Sequence, residues 1–282
     1  MITMLDIGYN GRLGNQMFQM AALFSKARKY GYDLRLPFEN TVEQPLGPYN
    51  PGTQSRMMVR IDLFDAFNIN QNCLLPRRLI SSEIKKNYKE NSFYYEEKFE
   101  EATDNTNFSG YFQSYKYFSD VSHDVRRLFS FKSLWTSKSI TAIEKERSKN
   151  LSLVSVHIRR TDYLQPSKNH YSLSIEYYRK AMSFFGKECL FLIFSDDMKW
   201  CRENFNQSNT CYVETGSSYA DLQAMSMCDH HIIANSTYSW WGAWLNKSQS
   251  KKVIAPDRWF AEGSEINAVD IYPEDWMKAN EL

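Results

Sequence analysis

An α/β fold made of two Rossmann-like halves facing across a cleft is what the 282-residue sequence predicts, and three observations predict it. From residue 151 onward, apolar runs of strand length alternate with amphipathic, helix-length stretches. Strands of that kind, apolar on both faces, belong to a parallel sheet covered by helices. The first 36 residues show the same theme once, as apolar run, glycine-rich turn, amphipathic stretch and second apolar run. Between the two patterns lies the charged segment "EKERSKN" at 144–150, which marks a boundary between a 1–149 domain and a 150–282 domain.

Taken in order, "ITMLDI" at 2–7 reads as a strand, "GYNGRLG" at 8–14 as a turn, and 15–30 as a helix. Gly31 follows, where a helix C-terminus favours a residue tolerant of positive φ. "DLRL" at 33–36 then completes a βαβ opening. From 37 to 105 Pro, Gly and Asn interrupt every short apolar run, so no element is assigned there. A strand is expected at "FSGYFQ", 108–113, then a helix over 120–129 capped by Ser119, and a second over 133–149. The later half alternates strands at 151–156, 189–194, 211–213, 230–234 and 251–255 with helices at 174–185, 197–205, 218–228 and 237–246. Such sheets bind ligands at the carboxyl ends of their strands.

A formal net charge of +1 gives no bulk attraction for nucleic acid or for a membrane surface, so any affinity for anions is local. The five cysteines, Cys73, Cys189, Cys201, Cys211 and Cys228, show no CxxC spacing and read as reduced core thiols. Neither a signal peptide nor an apolar run of about 18 residues is present. These features suit a cytoplasmic, bacterial-type enzyme with at most peripheral membrane contact. The histidines have no metal-ligand spacing.

"VSVHIRRTDY" at 154–163 ends an apolar strand in His157, Arg159, Arg160 and Asp162. Side chains alternate along an extended segment, so His157 and Arg159 share a face and Arg160 points away. A guanidinium offers bidentate donors that match phosphate oxygens; a surface ion pair of arginine with Asp162 is the alternative. "ANSTYSWWGAW" at 234–244 puts Ser236 and Thr237 at a helix N-terminus, where hydroxyls, backbone N–H groups and the helix dipole favour phosphate, or where Ser236 is an ordinary N-cap. In "GYNGRLGNQ" the glycines at 8, 11 and 14 lack the GxGxxG spacing, yet the turn carries Arg12, Gly14, Asn15 and Gln16 toward the cleft. "FSDD" places Asp196 and Asp197 at another strand end, adjacent rather than in a DxD clamp, with an N-cap as the alternative role. Asp221, early in the next helix, is a carboxylate able to accept the paired N–H donors of a guanine edge.

In order along the chain, "GRLGNQMFQMA", "HIRRTDY", "FSDDMKWC" and "ANSTYSWWGAWLN" resemble the motifs of the α-1,2-fucosyltransferases of glycosyltransferase family 11. The resemblance covers most of the chain. More distantly, "HIRRTD" is similar to the core α-1,6-fucosyltransferases and protein O-fucosyltransferases. The likeness implies a GT-B fold, GDP-β-L-fucose as donor, inversion at the anomeric carbon and no required metal or other cofactor. It implies a terminal β-galactoside, on an oligosaccharide or a glycolipid, as acceptor. Arg159 would contact the β-phosphate, His157 and Asp221 the guanosine, and Ser236 and Thr237 phosphate oxygens, with Asp196, Arg12 and Gly14 also on the donor side. Asn15 would lie near fucose and acceptor. The membrane anchor of the animal members has no counterpart in this sequence.

Departure of GDP builds positive charge on the sugar and negative charge on the leaving phosphate, which explains an arginine at 159. Candidates for a base to take the acceptor proton are Asp162, Asp6, Asp33 and Glu39, none distinguished by spacing. Transfer in another linkage, another GDP-sugar donor, or a non-catalytic glycan- or nucleotide-binding module are the competing readings. A Rossmann oxidoreductase is disfavoured by the glycine spacing.

Overall fold

The computed structural model describes residues 1–9, 11–37, 41–45, 56–147 and 151–282. The chain packs as two compact units, Met1–Ser130 with Ala268–Ile271, and Phe131–Asn267 with Tyr272–Leu282. The division therefore falls well before the charged segment at 144–150. The reason is the packing of the helix at Ser133–Arg147, whose Ser139 hydroxyl donates to Ala220 O at 2.8 Å. That helix belongs with the second unit.

In the first unit the strands are β1 (Ile2–Thr3), β2 (Leu34–Pro37), β3 (Thr41–Pro45), β4 (Arg56–Arg60), β5 (Leu74–Leu75), β6 (Lys86–Lys89) and β7 (Thr106–Ser109). Five of them form a parallel sheet of order β5-β2-β1-β7-β6, and β3 pairs with β4 as an antiparallel hairpin. The helices are α1 (Leu13–Tyr30), α2 (Leu63–Ala66), α3 (Arg77–Glu83), α4 (Lys98–Glu101) and α5 (Ser122–Leu128). Helix α1 ends as expected at Gly31, whose left-handed φ of 69° lets its N–H reach Ala27 O.

Several local expectations are corrected. The strand expected at 2–7 stops after Thr3, because Leu5 N takes the side chain of Asn107 as its acceptor in place of a sheet partner. The strand expected at 108–113 breaks at Gly110, where φ is 155° and Phe112 then turns to φ 52°. Ser119 does not cap a helix. It opens a single 3-10 turn, Ser119–Val121, and its hydroxyl donates back to Lys116 O.

The second unit holds α6 (Ser133–Arg147), β8 (Ser152–Ile158), α7 (Ile175–Phe185), β9 (Cys189–Ser195), α8 (Met198–Asn204), β10 (Thr210–Tyr212), α9 (Ser218–Ser226), β11 (His230–Ile232), α10 (Thr237–Leu245), β12 (Val253–Ala255) and β13 (Met277–Lys278). Its sheet, of order β10-β9-β8-β11-β12-β13, is parallel throughout. Val154, Val156, Ile158, Phe191, Ile193, Ile232 and Ile254 pack with α7 residues Tyr178, Ala181 and Met182 in one core cluster. Trp240 and Trp241 of α10 are fully buried. Helix α10 lies so close to α9 that a Cβ on Gly242 would come 3.0 Å from Met225 Cβ. All five cysteines are free thiols, and among the described residues no helix is long and apolar enough to cross a membrane.

His231 is sealed between β8 and the end of α10, 2.8 Å from Ser155 Oγ through Nδ1 and 2.8 Å from Asn246 Nδ2 through Nε2. Asn246 also donates from Nδ2 to Cys228 O and accepts Ser248 N on Oδ1, which fixes its amide orientation. Nε2 of the histidine therefore accepts, and Nδ1 carries the proton. Burial, then the charges of Lys251 and His230, push this imidazole down to about 3.

Trp240→Ala removes a wholly buried indole and should destabilise the fold by about 3–5 kcal/mol, read as a lower urea midpoint. His231 and His157 are both held neutral, with His157 also pushed down to about 3. In the unfolded chain both protonate at about pH 6.5, so their contribution to stability is intact above that pH and is lost as pH falls below it. NMR of the two imidazoles should show no titration between about pH 5 and 8.

Candidate active site

The parallel register of the second sheet builds the main cluster. Ile158 of β8 pairs level with Ser195 of β9, so the residues just past each strand end come side by side, Arg159 and Arg160 against Asp196 and Asp197. Arg159 Nη1 lies 2.9 Å from Asp196 Oδ2, and Nη2 lies 2.7 Å from Asp162 Oδ2. Arg160 turns the other way, with Nε 3.1 Å from Asp197 Oδ2 and its guanidinium 3.8 Å from the Trp200 ring centre. The ion pair with Asp162 is thus made by Arg159 itself, at the strand end, while Arg160 points away as the alternation predicts and is fixed on Asp197 and Trp200.

The two aspartates are spent on this frame. Asp196 accepts Arg160 N at 2.9 Å and the Thr161 hydroxyl at 2.6 Å. Burial would raise its carboxyl, but the Thr161 hydroxyl and the Arg159 charge outweigh that and hold it below the usual range. Asp197 caps α8 by accepting Trp200 N at 3.2 Å.

Strand β11 runs parallel to β8 on its other side, which brings the start of α10 to the same edge. The Tyr163 ring lies 5.6 Å from the Arg159 guanidinium, and its hydroxyl donates to Asn235 O at 3.2 Å. His170 stacks on Tyr163 with centroids 5.0 Å apart. Ser236 is the N-cap residue of α10 but makes no side-chain capping bond, so ordinary capping does not account for its hydroxyl. Asn235 Oδ1 is buried without a hydrogen-bond partner, and so is His157 Nδ1.

His157 is buried, its ring 5.4 Å from that of Tyr238, and desolvation followed by the Arg159 charge keeps it neutral. The Tyr238 hydroxyl in turn donates to Ser218 O at the start of α9. Asp221, in the first turn of α9, accepts both Thr215 N at 3.1 Å and the Thr215 hydroxyl at 2.8 Å on Oδ1. Burial raises its carboxyl above the usual value despite those bonds. His157, Tyr238 and Asp221 thus follow one another along one edge of this unit, together with Ser236 and Thr237.

In the first unit, α1 begins at Leu13, so Gly14, Asn15 and Gln16 lie in its first turn and not in a flexible loop. Gln16 does not serve the site: it is fully buried and accepts Asp62 N at 2.8 Å. Arg12 is exposed at the helix N-cap position, and Gly14 is buried. Asn15 accepts the Gln113 amide at 3.0 Å, and its own amide lies where a Cβ on Gly11 would be. Gly11, at φ 99°, is required on both counts.

Asp6 stands past the carboxyl end of β1, with Oδ2 accepting the Ser109 hydroxyl at 2.6 Å and Oδ1 buried without a partner. Asp33 stands before the first residue of β2, at the opposite end of the sheet, paired with Arg35 at 2.6 Å. That placement removes Asp33 from the candidate bases. Glu39 lies outside the described residues. Gln113, Ser109 and Glu90 were not singled out from the sequence, nor was Tyr163; the small-residue break "SG" at 109–110 was the one signal that the chain turns at the end of β7.

Comparison with known proteins gives the family and the fold. The model of the family described as Glycosyl transferase family 11 matches residues 1–280. An alpha-1,2-colitosyltransferase of Escherichia coli is 30% identical, over 95% of this chain and 96% of its own. A galactoside alpha-(1,2)-fucosyltransferase 2 of Rattus norvegicus is 28% identical, over 86% of this chain and 67% of its own. The crystal structure of POFUT1 in complex with GDP-fucose aligns with a TM-score of 0.51 at 14% identity, over 89% of this chain and 96% of that one. At that identity the likeness shows the fold, two α/β units of the GT-B type. Because the family match runs through both units and every cluster described above, this chain belongs to glycosyl transferase family 11.

Proposed function

We propose that the protein transfers L-fucose from GDP-β-L-fucose to the 2-hydroxyl of a terminal β-galactoside, with inversion to an α-1,2 linkage and with no required metal. The observation that carries the reading is Arg159, held at the carboxyl end of β8 by Asp162 and Asp196 beside the start of α10. A guanidinium has five N–H donors, and these ion pairs engage two nitrogens, so the fork can add phosphate oxygens without leaving its frame. Ser236, Thr237 and the N-terminal N–H groups of α10 supply further donors. In this reading the second unit, Phe131–Asn267 with Tyr272–Leu282, is the donor domain, and the unit holding Asn15 receives the acceptor.

The acceptor oxygen attacks the anomeric carbon from the face opposite GDP. The bond from that carbon to the β-phosphate oxygen breaks, and GDP leaves with the electron pair. Arg159 and the helix tip stabilise the charge GDP carries away. Asp196 and Asp197, the adjacent carboxylates past the end of β9, are neutralised by Arg159 and Arg160, which supports leaving-group stabilisation by arginine. Asp162 we assign to orienting Arg159, given their 2.7 Å contact, and not to proton removal. Asp221 and neutral His157 are assigned to the guanosine, Arg12, Gly14 and Asp196 to framing the donor side, and Asn15 to the acceptor.

A second reading, transfer of colitose, is favoured by the 30% identical alpha-1,2-colitosyltransferase. Colitose is fucose without its 3-hydroxyl, so parallel assays with the two GDP-sugars separate the readings. Product linkage by NMR from a panel of β-galactosides, with GDP-fucose and EDTA, should show α-1,2-fucosyl product at an unchanged rate; chelator-sensitive turnover overturns the metal-free assignment, and GDP binding without transfer favours a non-catalytic module. Arg159→Ala should lower kcat/KM by about 10²–10³-fold, and Arg159→Lys nearly as much, because a point charge lacks the planar fork. Near-wild-type turnover in the lysine variant rejects the role.

A further inference from the structure

The carboxyl end of β7 carries an arrangement that the donor chemistry does not use. Glu90 follows β6, whose Lys89 pairs level with Ser109 of β7, and Glu90 N donates to Ser109 O at 2.9 Å. Its side chain crosses the end of β7. Oε2 accepts Tyr111 N at 2.7 Å and Phe112 N at 2.8 Å, and Oε1 accepts the Tyr117 hydroxyl at 3.2 Å. The carboxylate is buried, and the ring of Tyr117, whose hydroxyl it accepts, packs edge-on against Phe112 with centroids 5.3 Å apart. Gly110 makes the approach possible: a Cβ there would lie 2.5 Å from Glu90 Cβ and 2.7 Å from Oε2.

Two consecutive N–H groups accepted by one buried oxygen hold Phe112 at φ 52°, a conformation that a bulky residue rarely adopts. The turn so held reaches three side chains on other elements. The Ser109 hydroxyl donates to Asp6, Gly110 O accepts from Gln19 Nε2 at 3.0 Å, and Gln113 Nε2 donates to Asn15 Oδ1 at 3.0 Å. The last bond sets the Asn15 amide, making Oδ1 its acceptor end toward Gln113 and Nδ2 its donor end beside Gly11.

We infer that Glu90 is a positioning residue for the transfer reaction: its carboxylate clamps the 110–113 turn, and through Gln113 the turn holds the Asn15 amide in the orientation the acceptor requires. The inference rests on the proposed acceptor role of Asn15. Burial raises Glu90 to about 7, against its backbone and Tyr117 hydrogen bonds, and the Glu96 charge adds to the rise. The titratable groups facing it are Tyr88 of β6, Glu96, Tyr111 and Tyr117. All three tyrosines are shifted upward and stay neutral, so Glu90 is the group of this cluster that changes charge near neutrality. The anion accepts both N–H groups, and protonation weakens the clamp. Acceptor binding is therefore strongest above pH 7 and declines below it.

The test compares wild type, Glu90→Gln and Gln113→Leu. In wild type the acceptor KM should rise about tenfold from pH 8 to pH 6, as the ionised fraction falls, while the GDP-fucose KM stays level. Glu90→Gln should abolish that pH dependence, and Gln113→Leu should raise the acceptor KM at both pH values. By NMR, the Tyr111 and Phe112 amide protons and the Asn15 side-chain amide should titrate together near pH 7 in wild type and not in Glu90→Gln. An Asn15 resonance indifferent to Glu90, or an unchanged acceptor KM in Gln113→Leu, overturns the inference; the latter variant decides the matter even where Glu90→Gln fails to fold. Absence of any sugar transfer with the Asn15 coupling intact counts against the proposed function and leaves the clamp standing.

Discussion

The level register of β8 and β9 is the constraint on which the second unit depends, because it lines up two arginines with two aspartates at the carboxyl edge of the sheet. Two adjacent guanidinium groups repel one another, and neither can shed its charge to relieve the repulsion. Partial burial makes that repulsion worse and hydration weaker. Asp196 and Asp197 resolve it by pairing one carboxylate to each arginine, and the backbone N–H of Arg160 and the hydroxyl of Thr161 tie Asp196 in place. Two neighbouring arginines can then stand at a strand end without mutual repulsion destabilising the fold.

The two arginines also divide the labour by direction. Arg160 lies flat on Trp200 and is locked through Asp197 to the cap of α8, so it joins strand, helix and loop. Arg159 is braced from two sides by carboxylates and from a third by the Tyr163 ring. Bracing of this sort reduces the side-chain entropy that a long cation loses on binding an anion. His157, next to the same edge, is kept neutral by burial and by Arg159 itself, and so adds hydrogen-bonding capacity without adding charge. His231 is neutral for a different reason, being sealed in a closed network of Ser155 and Asn246 that has no outlet to a ligand. Similar pKa shifts in one unit thus accompany a group with an unmatched nitrogen and a group that is purely structural.

The first unit solves an analogous problem with backbone geometry. The residue proposed to meet the acceptor is an amide, Asn15, which has no charge to orient it. Orientation comes from close approach at Gly11, from the partner amide of Gln113, and from a left-handed Phe112 that a buried carboxylate supports. Placing a carboxylate at Glu90 is expensive in desolvation, and the three donors directed at it show what offsets the cost.

Much of this was legible in the chain itself, and the division follows from which forces are local. Continuous apolar runs such as 151–156 and 189–194 announced buried parallel strands, a glycine at position 31 announced the end of α1, and the polar residues after the strands announced which charged groups would lie at their ends. Those signals depend on side-chain periodicity and on single-residue backbone preferences, which sequence records directly. The partners of Arg159, the spending of Gln16 on Asp62, the loss of the Ser119 cap, the packing of α6 with the second unit, and Glu90 with its turn were not legible. Each depends on strand register or on contacts between residues far apart in the chain. The amino-acid sequence by itself determined which elements form and which charged groups lie at their ends; only the tertiary structure decided which of those groups face one another, because register and long-range packing, not local propensity, set the distances on which ion pairs and hydrogen bonds depend.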